Sequence, residues 1–246
     1  AVPGPVDANA ETDRIDLLYL HSWDLTTRPD EVMRALDDLV RAGKVLYLGI
    51  CNTPAWRVAE MQTLADLRGW SAFVALQIEY SLVERTVEHE LIPMAMAHGL
   101  GVLPWSPLGG GVLSGKYSRS DVRDSAEAAV ADNRKDVIAS SGHLSERAIS
   151  IADEVRAVAD EIGATPAQVA LAWTLMNPVV SAPIIGARTF SQAEQNLQAL
   201  EISLTPEQAG RLNRISAPAP IFPARFTARP LVQQLMFGGA SVERRP

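Results

Sequence analysis

The feature that most constrains this chain is the alternation of short apolar runs with helically spaced segments. IDLLYL at 15–20, VLYLGI at 45–50, FVALQ at 73–77, GVLPW at 101–105 and APII at 182–185 read as five strands. The runs are apolar almost throughout rather than alternating, which is the pattern of strands buried on both faces. Between them, apolar residues recur at helical spacing: Val32, Leu36, Leu39 and Val40, closed by Gly43, then Trp56, Val58, Met61, Leu64 and Leu67, then 86–98. Further helices are expected over 145–162, 166–176, 191–199 and 205–214. Residues 1–14 read as a loop, 106–144 as a polar glycine-rich stretch, and the Pro- and Arg-rich 215–246 as a C-terminal loop or tail. Strand and helix in turn, with short connections, give an α/β fold: parallel strands covered by helices.

In such folds the polar residues at the carboxyl ends of the strands are the candidates for a site. Those ends carry His21, then Cys51 and Asn52, then Gln77, then Trp105 and Ser106, and last Gly186 followed by Arg188. A lone histidine is as readily a core residue with a satisfied ring; at a strand end it can orient a carbonyl or tune a proton donor. Asn52 and Gln77 each donate and accept, so together they suit a carboxamide, although an asparagine there also caps loops. Trp105 offers a flat face to an aromatic ring, or to the core. In SPLGGGVLSGKY at 106–117, glycines let backbone amides approach an anion and Lys116 adds a point charge. The spacing is not that of a Walker loop, and no GxGxxG pattern is present, which argues against a Rossmann domain. In IIGARTFSQAEQN at 184–196, Arg188 precedes a helix start bearing Gln192, Gln195 and Asn196, an arrangement that suits a phosphate.

Composition removes several function classes. The formal charge is -7, and a nucleic-acid partner needs a basic surplus instead. No apolar run approaches the roughly 18 residues of a membrane helix, and no signal-peptide pattern opens the chain, so no membrane partner is expected. Cys51, the single cysteine, forbids an internal disulfide and suits a reducing, cytoplasmic setting. His21, His89, His98 and His143 lack the spacing of metal ligands, so no metal is expected. The charged run DNRKD at 132–136 reads as an exposed turn in a loop long enough to cover a ligand.

LYLHSWD, LVRAGKVLYLGICN, LQIEYSLVER, GVLPWSPLGGGVLSGKY, TPAQVALAW and PIIGARTFSQAEQNLQAL, in this order, resemble the aldo-keto reductases, especially the branch related to the potassium-channel β subunits. The resemblance runs from about residue 13 to 214. It implies a (β/α)8 TIM-barrel type, here about the last five β/α units in a single incomplete barrel domain. It also implies an NADP(H)-dependent oxidoreductase that reduces aldehyde and ketone carbonyls of small-molecule substrates by hydride transfer. His21 stands where the family has its catalytic histidine. Cys51 and Asn52 match the family's Ser-Asn pair at the nicotinamide carboxamide, with Gln77 as its partner and Trp105 as the stacking aromatic. Cys51 departs from the usual serine, and a thiol is a weaker donor. Ser106, Leu108, Gly110 and Lys116 fall on the pyrophosphate loop, and Gly186, Arg188, Gln192, Gln195 and Asn196 on the adenosine and 2′-phosphate segment. Whether the chain forms a homo-oligomer is left open.

The family's remaining catalytic groups, an Asp, a Tyr and a Lys, lie on β/α units upstream of the strand that ends in His21. Five strands are read here and eight close such a barrel. The expectation is therefore a truncated piece or incomplete record of a reductase. The alternatives are a barrel completed by another chain, or a non-catalytic NADP(H)-binding regulatory subunit. An open parallel sheet left in water would expose edges and an apolar interior. Substitute proton donors are poor: Tyr19 reads as core packing, and Tyr80 follows the Gln77 strand with no lysine beside it.

Overall fold

The computed structural model describes residues 12–126, 138 and 142–240. The DNRKD run at 132–136 lies outside the described residues. The chain divides into two units, Ala1–Ser216 and Ala217–Pro246.

In the first unit, β1 (Ile15–Leu20), β2 (Val45–Cys51), β3 (Phe73–Glu79) and β4 (Gly101–Trp105) form a parallel sheet in the order β1-β2-β3-β4. The connections contain α1 (Pro29–Arg41), α2 (Ala55–Arg68), and a 3-10 turn Thr86–Glu88 followed by α3 (Leu91–Ala97). After β4 come a 3-10 segment Gly109–Ser114, α4 (Arg119–Ala126), α5 (Glu146–Ile162), α6 (Pro166–Leu175), α7 (Phe190–Leu197), a 3-10 turn Gln198–Glu201 and α8 (Pro206–Ser216). The fold is α/β with a parallel sheet, as the alternation predicts, and among the described residues the sheet is open rather than closed into a barrel.

One sheet face buries Leu48, Ile50, Leu76, Ile78 and Val102 against Met33 and Leu36 of α1, Val58, Met61 and Ala65 of α2, and Ile92 and Ala95 of α3. A second core joins Leu82, Leu113, Ile151, Val155, Val169, Trp173 and Leu212, so α5, α6 and α8 pack on one another. Strand periodicity puts Tyr19, Gly49, Cys51, Gln77, Leu103 and Trp105 on the opposite face. There the Tyr19 ring approaches Gly49 so closely that an added Cβ would lie 2.4 Å from it, which only glycine accommodates.

Four expectations are corrected. APII at 182–185 is not a strand: Val180 bridges Val102, and the N–H of Ile184 donates to the carbonyl of Pro104 at 2.7 Å. Pro178 and Pro183 supply no N–H, so the ladder beside β4 is interrupted. The 106–144 stretch contains regular structure, a 3-10 segment and α4. In α2, Trp56 and Leu67 are largely exposed instead of joining the core stripe. The second unit, read as a loop or tail, carries two short helices, α9 (Ala224–Thr227) and α10 (Pro230–Phe237), the latter opened by Pro230 at its first turn.

Asp37 is a buried polar group that ties α1 to the segment leading into β3. It pairs with Arg41 Nε at 2.6 Å, and its Oδ1 accepts from the N–H and Oγ–H of Ser71 at 2.8 and 3.0 Å. Burial raises its carboxyl pKa, but the Ser71 hydrogen bonds and Arg41 outweigh that and hold it below the ordinary value. Asp37→Ala is expected to cost about 2–3 kcal/mol of stability, because Ser71 N–H and Arg41 lose their acceptor. Urea unfolding at neutral pH checks this. Because the folded pKa is depressed, the difference from wild type is full above about pH 4 and shrinks as acid protonates Asp37.

Candidate cofactor site at the strand ends

The carboxyl ends of β2, β3 and β4 are joined by side-chain hydrogen bonds. Cys51, the last residue of β2, pairs in register with Gln77 and donates its S–H to Gln77 Oε1 at 3.5 Å. Burial pushes the Cys51 thiol pKa up, which keeps it protonated as a donor. The N–H of Asn52 donates to the Gln77 carbonyl at 3.2 Å, and Trp105 Nε1–H donates to Asn52 Oδ1 at 2.9 Å. Asn52 adopts φ 46, a left-handed conformation that asparagine tolerates better than most residues. Both carboxamide oxygens are thus occupied, and Asn52 Nδ2 and Gln77 Nε2 remain as donors.

Trp105 leads into Ser106, itself left-handed at φ 51, and then into the glycine loop. The carbonyl of Ser106 accepts from Gly109 N–H at 2.8 Å, and the carbonyl of Leu108 from Gly111 and Leu113 N–H at 2.9 and 3.2 Å. Leu108 (φ -101, ψ 12) is followed by Gly109, Gly110 and Gly111 at φ 54, 63 and 99. A right-handed residue followed by a left-handed one turns N–H groups inward as an anion cradle, and with Gly109 and Gly111 N–H already donated within the loop the cradle's donors are the amides of Leu108 and Gly110. At Gly109 and Gly110 a side chain does not fit, since a Cβ would meet Val83 and Ile138; at Gly111, where the neighbour is the movable end of Lys116, it is φ 99 that disfavours one. Lys116 is exposed and places its charge beside the cradle. This donor set suits a dinucleotide: amide donors for a carboxamide oxygen, an aromatic face and a cationic cradle.

His21 directly follows Leu20, which pairs with Ile50, so it stands at the edge of the same row of strand ends. It is exposed and has no hydrogen-bond partner among the described residues. The Ile184–Pro104 hydrogen bond carries the chain past β4 toward Gly186 and Arg188, both exposed. Gln192 serves its own helix start, where its Oε1 accepts from Arg188 N–H at 2.8 Å and its own N–H donates to Thr189 Oγ1 at 3.2 Å, opening α7. Gln195 lends its carbonyl to Gln168 Nε2 at 3.1 Å. Among the described residues no hydrogen bond joins Arg188, Gln192, Gln195 or Asn196 to the Asn52–Gln77–Trp105 group. Gln77 itself lies inside β3 rather than just after it, because the strand continues to Glu79, which pairs with Trp105.

The Tyr80 hydroxyl is committed away from this site. Tyr80 is buried, meets Trp173 in a tilted ring contact at 5.5 Å, donates its O–H to Glu88 Oε1 at 2.9 Å and accepts from Asn177 Nδ2 at 3.3 Å. Burial drives its pKa far above the ordinary value. Tyr19 packs on Gly49, and burial raises its pKa too.

Sequence reasoning missed two groups at these ends. Glu79 lies two residues beyond Gln77 on the same face, a spacing that could have flagged it, and His143 reaches it from a remote loop at 2.8 Å. Trp23, two residues after His21, meets Trp56 edge-on at 5.5 Å, with the Arg57 guanidinium 4.3 and 4.5 Å from their ring centres. By contrast, an open cavity of about 370 Å³ at the amino end of β4 is lined by Ala95, Met96, Leu100, Val179 and Ser181, and no ionisable side chain lines it.

Residues 8–217 match the sequence model of the aldo/keto reductase family. The chain is 40% identical over 205 residues to an uncharacterized oxidoreductase of Bacillus subtilis, covering 83% of this chain and 59% of that protein. It is 34% identical over 221 residues to versiconal hemiacetal acetate reductase of Aspergillus parasiticus, covering 89% and 62%. It is 36% identical over 206 residues to aryl-alcohol dehydrogenase [NADP(+)] of Phanerodontia chrysosporium, covering 82% and 52%. The chain therefore spans between 52% and 62% of the length of these curated relatives.

Proposed function

The chain belongs to the aldo/keto reductase family, and we propose that its strand ends bind NADP(H) and present an aldehyde or ketone carbonyl for reduction. When bound, the reduced nicotinamide supplies a hydride for the carbonyl carbon. Asn52 Nδ2 and Gln77 Nε2 donate to the carboxamide oxygen, which fixes which face of the ring is turned to the substrate. Trp105 stacks on that ring, its indole held in orientation by the bond to Asn52. The amides of Leu108 and Gly110, which make no bond within the loop, and the Lys116 ammonium bind the pyrophosphate, and the Arg188 guanidinium pairs with the 2′-phosphate. His21 donates to the carbonyl oxygen, polarising it where negative charge develops.

The observation that carries this reading is the Cys51–Gln77–Asn52–Trp105 network beside a left-handed glycine cradle. The family's Asp, Tyr and Lys belong to units that the resemblance places before the His21 strand, so the complete reaction is a property of the whole protein. The name of the Phanerodontia relative, an NADP(+)-dependent aryl-alcohol dehydrogenase, supports both the cofactor and aromatic aldehydes as the first substrates to try.

The test is titration of the purified protein with NADPH and NADH, read by quenching of tryptophan fluorescence, followed by NADPH oxidation with benzaldehydes. Saturable NADPH binding, tighter than NADH, with carbonyl-dependent oxidation supports the reading. His21→Ala is expected to lower kcat by about 10²-fold or more while leaving NADPH affinity within about twofold. Absence of NADPH binding, or an unchanged kcat in His21→Ala, contradicts it.

A further inference from the structure

Glu79 and His143 have no part in the function proposed above. Glu79 ends β3 on the face that carries Gln77 and pairs in register with Trp105. His143 Nε2 lies 2.8 Å from Glu79 Oε1 as an ion pair, and the side chains are only 13% and 20% exposed. The backbone N–H of His143 donates to the carbonyl of Ile138 at 3.2 Å. Ile138 covers Gly110 so closely that a Cβ there would lie 2.8 Å from it, and Ile138 and Leu144 pack with Val112, Ala148 and Ile149. One side chain thus links the end of β3 to the apolar plug behind the glycine loop.

We propose that the His143–Glu79 ion pair is a positioning tie that holds Gly110 and its neighbours in the conformation that receives the dinucleotide's phosphates. The tie rests on the reading of Leu108–Gly111 as that cradle. The close contact with the Glu79 carboxylate raises the His143 pKa above the ordinary histidine value, against the desolvation that lowers it, and the charge of Glu84 adds to the rise. Of the charges opening α5, Arg147 donates to the carbonyls of Val83 and Ser216, and Glu146 faces Arg119. Because the folded pKa is raised, the tie is complete below the ordinary histidine pKa of about 6.5 and is lost as pH rises through the folded value. Dinucleotide retention therefore weakens toward alkaline pH.

The experiment measures NADPH dissociation constants at about pH 6 and about pH 9 for wild type, Glu79→Gln and His143→Gln, pH values on either side of the histidine range. The 2′-phosphate also titrates near pH 6, so the quantity read is the variant-to-wild-type ratio at each pH. Both variants are expected to bind about fivefold more weakly at the acid pH and equally at the alkaline one, a coupling of ordinary size. His143→Lys, charged at both pH values, is expected to bind as wild type at acid pH and more tightly than wild type at alkaline pH. Amide exchange of His143 without cofactor is expected to be slower in wild type than in Glu79→Gln at acid pH only, and exchange across β3 and β4 shows whether each variant is folded. NADPH binding with a ratio near one at both pH values overturns the tie and leaves the cradle standing. No NADPH binding by wild type overturns the cradle and the tie together.

Discussion

Trp105→Ala is expected to weaken NADPH binding by about 30- to 100-fold, equivalent to about 2–3 kcal/mol. Two losses combine. Stacking of a flat ring on an aromatic side chain is worth about 1–3 kcal/mol by alanine substitution. The second loss is structural: Trp105 Nε1–H is the donor to Asn52 Oδ1, at 2.9 Å. Asn52 holds a left-handed backbone at φ 46 and donates its N–H to the Gln77 carbonyl. Without the indole its carboxamide is free to turn, and the donor aimed at the nicotinamide loses its orientation. Trp105→Phe separates the two effects, since it keeps a ring and removes the N–H. That variant is expected to lose only about fivefold, the value of one ordinary hydrogen bond. Isothermal titration of wild type and both variants checks the order. Equal affinities for all three would mean that Trp105 is a packing residue.

Arg188→Ala is expected to remove the preference for NADPH over NADH. A guanidinium–phosphate pair with charge-assisted hydrogen bonds is worth about 1.5–3 kcal/mol, or about 10- to 100-fold in affinity. NADH lacks the 2′-phosphate, so its affinity is expected to be the same in wild type and variant. The asymmetry is the useful part, because a general disturbance of α7 would weaken both. Gln192 Oε1 accepts from the Arg188 backbone N–H, not from its guanidinium, so the loop keeps this bond in the alanine variant. Loss of NADH and NADPH binding to the same degree would assign Arg188 a structural role. No change in either would place the 2′-phosphate elsewhere.

The parts of the fold legible in the sequence are those governed by local periodicity. β1 and β4 have the bounds read from IDLLYL and GVLPW, and the helical spacing of Met61 and Val58 does bury α2 against the sheet. The same reasoning failed at APII, where apolar character suggested a strand but Pro178 and Pro183 withhold the donors a ladder needs. It also placed Trp56 in the core, although helical spacing cannot distinguish a core stripe from an indole packed beside Trp23 and Arg57 at the rim. The second unit's Pro and Arg content suggested a tail, whereas Pro230 opens a short helix. For the site, parallel order was enough to bring Cys51, Asn52, Gln77 and Trp105 to one end of the sheet. Which partner each would choose was not legible, because the Trp105–Asn52 hydrogen bond and the His143–Glu79 ion pair join residues far apart in the chain. The backbone conformation of the glycine run was only half legible. Glycine permits left-handed φ without requiring it, and it is the crowding by Val83 and Ile138 that excludes a side chain at Gly109 and Gly110.

A crystal structure of the protein with NADP+ bound puts the proposed cofactor site to the proof. The nicotinamide ring is expected on Trp105, with its carboxamide oxygen between Asn52 Nδ2 and Gln77 Nε2. The pyrophosphate is expected on the amides of Leu108 and Gly110, and the 2′-phosphate on Arg188. A dinucleotide seated in the cavity at the amino end of β4, or one that leaves Asn52 and Gln77 untouched, would contradict the site.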